Sequence, residues 1–146
     1  LPEHQTWYTV RYHPSAVEVG LPPDREFVFA GFFLAWLALN DLLSTEFVQL
    51  VGSETIGAVK SRRLSGPQLL AGIDGIVESG MVTEDGYGFA SNYFDLVNGG
   101  QYLSDFRAQF GIRGSRSEDL YQVEDHWENY DLIAARIDAA YAAWPR

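Results

Sequence analysis

The residues best suited to chemistry gather near the C-terminus. Tyr121-Gln122-Val123-Glu124-Asp125-His126-Trp127-Glu128 sets one imidazole among three carboxylates, the residue types that acid–base catalysis and divalent metals draw on. Spacing argues against a metal. Ligands must converge on one ion, whereas successive helical residues diverge by about 100°, so His126 and Glu128 point to different sides. No His-Glu-x-x-His occurs, and the other histidines, His4 and His13, lie in the N-terminal arm. His126 is therefore expected to be partly buried beside the apolar stripe of its helix, with one satisfied hydrogen bond.

Nucleophiles are no better supported. The chain has no cysteine, which excludes disulfides, thiolate metal sites and cysteine nucleophiles. Gly-x-Ser-x-Gly is absent, and Ser65 and Ser91 read as a helix cap and a helix-surface residue. Gly86-Tyr87-Gly88 lacks a third glycine at the needed spacing and follows no predicted strand, so no phosphate cradle is read there. The 20 acidic residues supply carboxylate pairs in number, but nothing selects one pair. No catalytic residue, metal ligand or cofactor is assigned.

What the spacing does select is an acidic stripe. Glu124, Glu128, Asp131 and Asp138 fall at i, i+4, i+7 and i+14, one face of a C-terminal helix and well away from its aromatic stripe. Between positions 118 and 138 there are seven acids against one base, Arg136. Like charges at that spacing disfavour a helix by about 0.2–0.5 kcal/mol per pair, and a sequence built for stability alone would intersperse lysines, of which this chain has only Lys60. Over the whole chain, 10 basic and 20 acidic residues leave a net charge of −10. Such a field repels nucleic-acid phosphates and anionic lipid and attracts basic surfaces. The four carboxylates are thus the candidate docking face for a basic protein partner, such as a toxin domain; neither nucleic acid nor membrane is expected as a partner. The plain alternative is a solvated helix face.

Helical elements must hold that face. The arm at 6–12 is aromatic and β-branched and reads as one strand or an extended arm ending near His13-Pro14; Trp7, Tyr8 and Tyr12 read as a lid on the core, the alternative being aromatic anchors of a binding surface. Gly20, Pro22 and Pro23 make 17–23 a loop. Asp24 then suits the N-cap of a helix over 24–43 that is apolar on every side and so central. Trp36 lies inside it as core, and Gly31 in its middle implies a neighbouring helix passing close. Helices follow at 45–51, at 54–63, and from Ser65-Gly66-Pro67 to Gly80 with Leu69, Leu70, Ile73, Ile76 and Val77 at helical spacing. Next come 83–97, with Phe89, Tyr93, Leu96 and Val97 on one face, and 101–110, closed by Gly111. A polar loop covers 112–122. The last helix, 125–144, opens on an Asp125–Glu128 box and packs through Trp127, Tyr130, Ile133, Ile137, Tyr141 and Trp144.

The expected fold is mainly α: a single compact domain, 1–146, of six or seven helices, with an N-terminal arm (1–23) carrying a possible short β element and a helical core (24–146). A length of 146 residues, 47% of them hydrophobic, suffices for a buried core and excludes disorder. The apolar run over 27–39 falls short of the about 20 residues needed to span a bilayer, and Asp24, Arg25, Glu26 and Asp41 crowd its ends. The cytoplasm is the expected compartment. The sequence opens at Leu1 without an initiator Met, which leaves a removed signal segment, and hence the periplasm, open.

Four blocks carry a resemblance: Phe33-Leu34-Ala35-Trp36-Leu37-Ala38-Leu39-Asn40; Ser65-Gly66-Pro67-Gln68; Tyr102-Leu103-Ser104-Asp105-Phe106; and Tyr121 to Asp131 with its Val-x-Asp-x-Trp-x-x-Tyr-Asp ending. In this order, over about 8–144, the chain resembles a family of small bacterial proteins with a domain of unknown function, DUF7832. The resemblance assigns no residue a role. By analogy of type alone it implies an immunity protein that neutralises a toxin by occlusion through the acidic face. The rival readings are a small enzyme with carboxylate or histidine chemistry, which needs a pocket of converging polar groups near His126 or His13, and an adaptor or subunit of a larger assembly, which needs an exposed apolar patch.

Overall fold

The computed structural model describes residues 4–98 and 100–145. Among them, seven α-helices and one two-stranded sheet close around a single apolar cluster, so the mainly helical domain with a small N-terminal β element is what forms.

Its centre is α1 (Val28–Leu39), whose apolar residues face every direction. Eleven of its twelve residues are buried, and α3, α4 and α7 pack against it. The close neighbour expected at Gly31 is α4 (Gly66–Ala71). A Cβ on Gly31 would lie 2.5 Å from both Cα and N of Pro67, and one on Gly66 would lie 1.9 Å from the Gly31 carbonyl oxygen. The two glycines face each other and let the backbones touch.

This central helix is shorter than expected. Asp24 caps nothing: Pro23–Phe27 forms a 3-10 turn with Pro23 at its start, and the α-helix begins at Val28. Beyond Leu39 the chain turns through Asp41 at φ 56°, and Leu43 bridges Val82. Then α2 (Thr45–Val51) starts at Ser44, whose hydroxyl accepts from the Phe47 N–H, and ends at Gly52. α3 spans Ser53–Lys60. α4 opens with Ser65 as its cap and Pro67 in its first turn, as expected, and Gln68 completes a capping box with Ser65.

The helix expected to reach Gly80 stops at Ala71. Asp74 and Gly75 adopt φ 64° and 70°, and Ile76–Glu78 becomes β2, antiparallel to β1 (Thr6–Thr9). The register pairs Thr6 with Glu78, Tyr8 with Val77 and Thr9 with Ile76. Helical spacing of the isoleucines was misleading here. An Asp-Gly pair turns the chain readily, and short β-branched runs follow whichever partner is available. β1 itself is shorter than the arm, because Val10–Tyr12 winds into a 3-10 turn. Trp7 and Tyr8 are buried as a lid, whereas Tyr12 is 82% exposed.

α5 (Glu84–Tyr93) is capped by Thr83 and also ends early. Leu96 and Val97 leave its packed face for a 3-10 turn, Leu96–Asn98, and are exposed, Val97 at 90%. Ser91, read as a surface residue, is buried and donates to the Gly88 carbonyl. α6 (Gln101–Phe110) lies between Gly100 and Gly111, both at positive φ, and the Tyr102 hydroxyl donates to the Phe29 carbonyl at 2.5 Å. The expected polar loop after it buries Ile112, Leu120 and Tyr121, with a 3-10 turn at Ser117–Gln122.

Last comes α7 (Trp127–Ala143). Tyr130, Ile133 and Ile137 are buried, and Trp127, Tyr141 and Trp144 are half-buried against the core. His126, not Asp125, holds the N-cap position, without a side-chain cap. The Asp125–Glu128 box does not form, because the Asp125 carboxylate accepts from the Ser65 hydroxyl at 2.5 Å. No described helix is long and apolar enough to cross a membrane.

Candidate functional site

The acidic face is built at the start of α7, and the structure separates its four members. Glu124 precedes the helix and so does not share its face. It lies 2.6 Å from His126 Nε2 and 3.5 Å from the Arg25 guanidinium. Arg25 is held in turn by donating to the Tyr121 carbonyl at 2.9 Å. Glu128 is exposed in the first turn of α7 and has no side-chain partner among the described residues.

Asp131 receives a two-pronged hydrogen bond from Arg62, with Nη2 2.7 Å from Oδ1 and Nη1 3.1 Å from Oδ2. That hydrogen bond, with the charge behind it, holds the Asp131 carboxyl below the usual carboxylate range and raises Arg62. The guanidinium also lies over the Trp127 ring, 4.7 Å from its centroid, where the ring's negative face adds an attraction. Arg62 makes this reach from a backbone at φ 64°, a conformation that surrounding contacts must hold in place. Asp138 does something different again: it accepts from the Trp36 Nε1–H at 2.8 Å.

Hence the face borders the aromatic stripe rather than lying apart from it. Two of its carboxylates satisfy groups of the fold, and Arg62 reduces its local charge. No sequence spacing linked Arg62 to Asp131, 69 positions away, or Trp36 to Asp138, 102 positions away; the second pair joins α7 to α1, and the first joins α7 to the turn after α3.

His126 borders a small crevice shared with Ser65, Asp125 and Trp127. His126 is exposed, not half-buried, and its imidazole pairs with Glu124. His13 stacks on Tyr8 at 4.7 Å, and its Nδ1 lies 2.9 Å from the Ser117 hydroxyl. Burial lowers its pKa. A neutral imidazole beside a serine hydroxyl can take a proton. Here it latches the N-terminal arm to the turn before α7. Burial also raises the nearby Tyr121 hydroxyl to about 12, and that hydroxyl donates to the Pro14 carbonyl. Among the described residues no three His, Asp or Glu side chains gather as a metal would need.

An opening of about 570 Å³ lies elsewhere, among α2, α3, α4 and β2. Phe47, Leu69 and Met81 are buried at its floor, and Leu50, Asp74 and Glu78 stand at its margin. Sequence reading missed it. Phe47, Leu50 and Val51 recur at helical spacing, which carries no sign of a groove, and Leu50 is 79% exposed.

No curated protein and no solved structure matches the chain. The family model for a domain of unknown function, DUF7832, matches residues 3–123. The matched stretch takes in the whole groove and stops before α7, so the Val-x-Asp-x-Trp-x-x-Tyr-Asp ending that suggested this family falls almost entirely outside it. With the match covering most of its length, the chain belongs to the DUF7832 family.

Proposed function

We propose that the chain is a protein-binding module for a basic partner, with the start of α7 as part of its docking face. The observation that carries this reading is the presentation of its carboxylates. Glu128 is exposed and unpartnered among the described residues, while the flanking Glu124 and Asp131 side chains are 57% and 53% exposed although ion-paired. Carboxylates steadied by neighbours yet open to solvent lose little side-chain freedom when a cation arrives. The net charge of −10 draws a basic surface toward them. In its narrower form the module is an immunity protein, and the basic surface is the substrate cleft of a toxin, which docking occludes.

The test uses the chain as bait in a lysate of its own source cells, at low and moderate salt, beside a Glu128→Lys variant. This residue is chosen because Asp131 and Asp138 serve the fold. A protein rich in lysine and arginine should be retained by the native chain, released by salt, and held poorly by the variant, since rim charges act on encounter and are screened. Neutral or acidic captured proteins, or equal retention by both baits, would refute the reading.

A further inference from the structure

We infer that the groove between α2 and β2 is a second docking site, which takes a short amphipathic segment of a protein: apolar side chains in the floor, and a lysine or arginine against Asp74 and Glu78. The proposal rests on the basic partner inferred above and adds where, and with what chemistry, part of that partner sits.

The first observation is Leu50. It lies in α2 between Phe47 and Val51, all three lining the groove, yet it is 79% exposed. A single exposed leucine is ordinary. One at the margin of an apolar opening with a buried floor extends that apolar surface outward, so an occupant seated in the groove and leaning on its edge would remove both from water. That shape suits a peptide segment better than a molecule small enough to vanish into the floor. The opening holds about 570 Å³.

The second observation is charge. Ile76 and Glu78 alternate on β2 and both line the groove, on the face opposite the buried Val77. Asp74 stands at the corner that leads into that strand. Neither carboxylate has a hydrogen-bonding or ion-pairing side chain among the described residues, and no lysine, arginine or histidine lines the groove. Two uncompensated carboxylates beside an apolar trough, in a chain of net charge −10, disfavour an acidic or purely apolar occupant and favour a cationic one. A second copy of this chain is disfavoured for the same reason. The groove shares no residue with α7 and lies wholly within the family's matched stretch.

The experiment selects binders to the immobilised chain from a displayed library of random dodecapeptides. Selected sequences should combine lysine or arginine with leucine, isoleucine, phenylalanine or methionine. The best of them, made synthetically, is then titrated against Leu50→Gln, an Asp74→Asn/Glu78→Gln pair, and Glu128→Gln. Glutamine suits a helix, and asparagine accepts the positive φ of residue 74, so thermal melts should confirm that each variant folds. Affinity should fall about tenfold in each groove variant, the scale of losing one interface anchor, and stay unchanged in Glu128→Gln. Binders that are acidic, or none above background, would overturn the proposal. Basic binders that ignore both groove variants but weaken in Glu128→Gln would overturn the groove alone and leave the basic-partner reading standing. Binders that need Leu50 but carry no positive charge would overturn the proposal and remove support from that reading as well.

Discussion

Two glycines in helix interiors allow a matched test of the packing. Gly31 lies in α1 and Gly57 in α3, both at helical φ. Alanine at either site gains about 1 kcal/mol of helix propensity. The surroundings then set the sign. At Gly57 an added Cβ meets nothing within 4 Å, so the gain stands. At Gly31 the Cβ falls 2.5 Å from Pro67 Cα and N and 2.9 Å from Pro67 Cγ, where apolar atoms prefer about 3.5–4.0 Å. Backbone and a ring held in the first turn of α4 cannot swing aside, so α1 and α4 must separate by about 1 Å, and a gap of that size forfeits a quarter to a half of each lost contact. Overpacking of this kind costs about 1–3 kcal/mol, sometimes more. The crossing of α1 with α4 is the most extensive contact between elements in the fold, which places Gly31 at the upper end. Gly31→Ala should therefore lose about 2 kcal/mol net, while Gly57→Ala gains about 0.5–1. With a shift of about 2–4 °C per kcal/mol, the two melting temperatures should move in opposite directions and differ by about 5–12 °C. Thermal melts and urea unfolding check this. Equal stabilisation by both substitutions would refute the touching backbones at Gly31 and Gly66, and with them the docking of α4 on the central helix.

Trp36→Ala should cost about 3–5 kcal/mol, the range for deleting a buried tryptophan; Trp36→Phe should cost much less, since Asp138 is exposed and water can replace the indole N–H. Urea unfolding of the two variants reads the difference. The Arg62–Asp131 pair should show a coupling of about 0.5–1 kcal/mol in a double-mutant cycle, because both partners are largely solvated. Because folding lowers the Asp131 pKa, that contribution is present above the usual carboxylate value of about 4 and is lost as pH falls through the folded value; Asp131→Asn should flatten the acid limb of a stability-against-pH curve. His13 loses stability in the same direction of pH, but because its neutral form is the one the fold favours. Burial lowers its pKa, so stability is full above the unfolded value of about 6.5 and falls as pH drops from there toward the folded value. His13→Gln should flatten that region in melts taken from about pH 5 to 7.

How much of this was legible beforehand depended on range. Elements defined by their own few residues were readable: the all-apolar α1, α2 over 45–51, the Ser65 cap with Pro67 in the first turn of α4, and Gly111 at the end of α6. Each rests on hydrogen bonds or backbone freedom within one turn, which neighbouring residues determine. Burial of Trp36 and a close neighbour at Gly31 followed from composition and periodicity alone. Ile76–Glu78 was different. Its side chains suit a helix or a strand, and β1, some seventy positions earlier, made it a strand by supplying the hydrogen-bonding edge. Likewise the spacing of Glu124, Glu128, Asp131 and Asp138 placed acids near one another but said nothing of Arg25, Arg62 or the Trp36 indole, which reach them from distant parts of the chain. The groove was invisible for the same reason, because only the meeting of α2, α3, α4 and β2 creates it and leaves Leu50 at its margin. Local hydrogen bonding and side-chain volume are written residue by residue; which carboxylate meets which donor, and which leucine stays in water, is set by long-range packing.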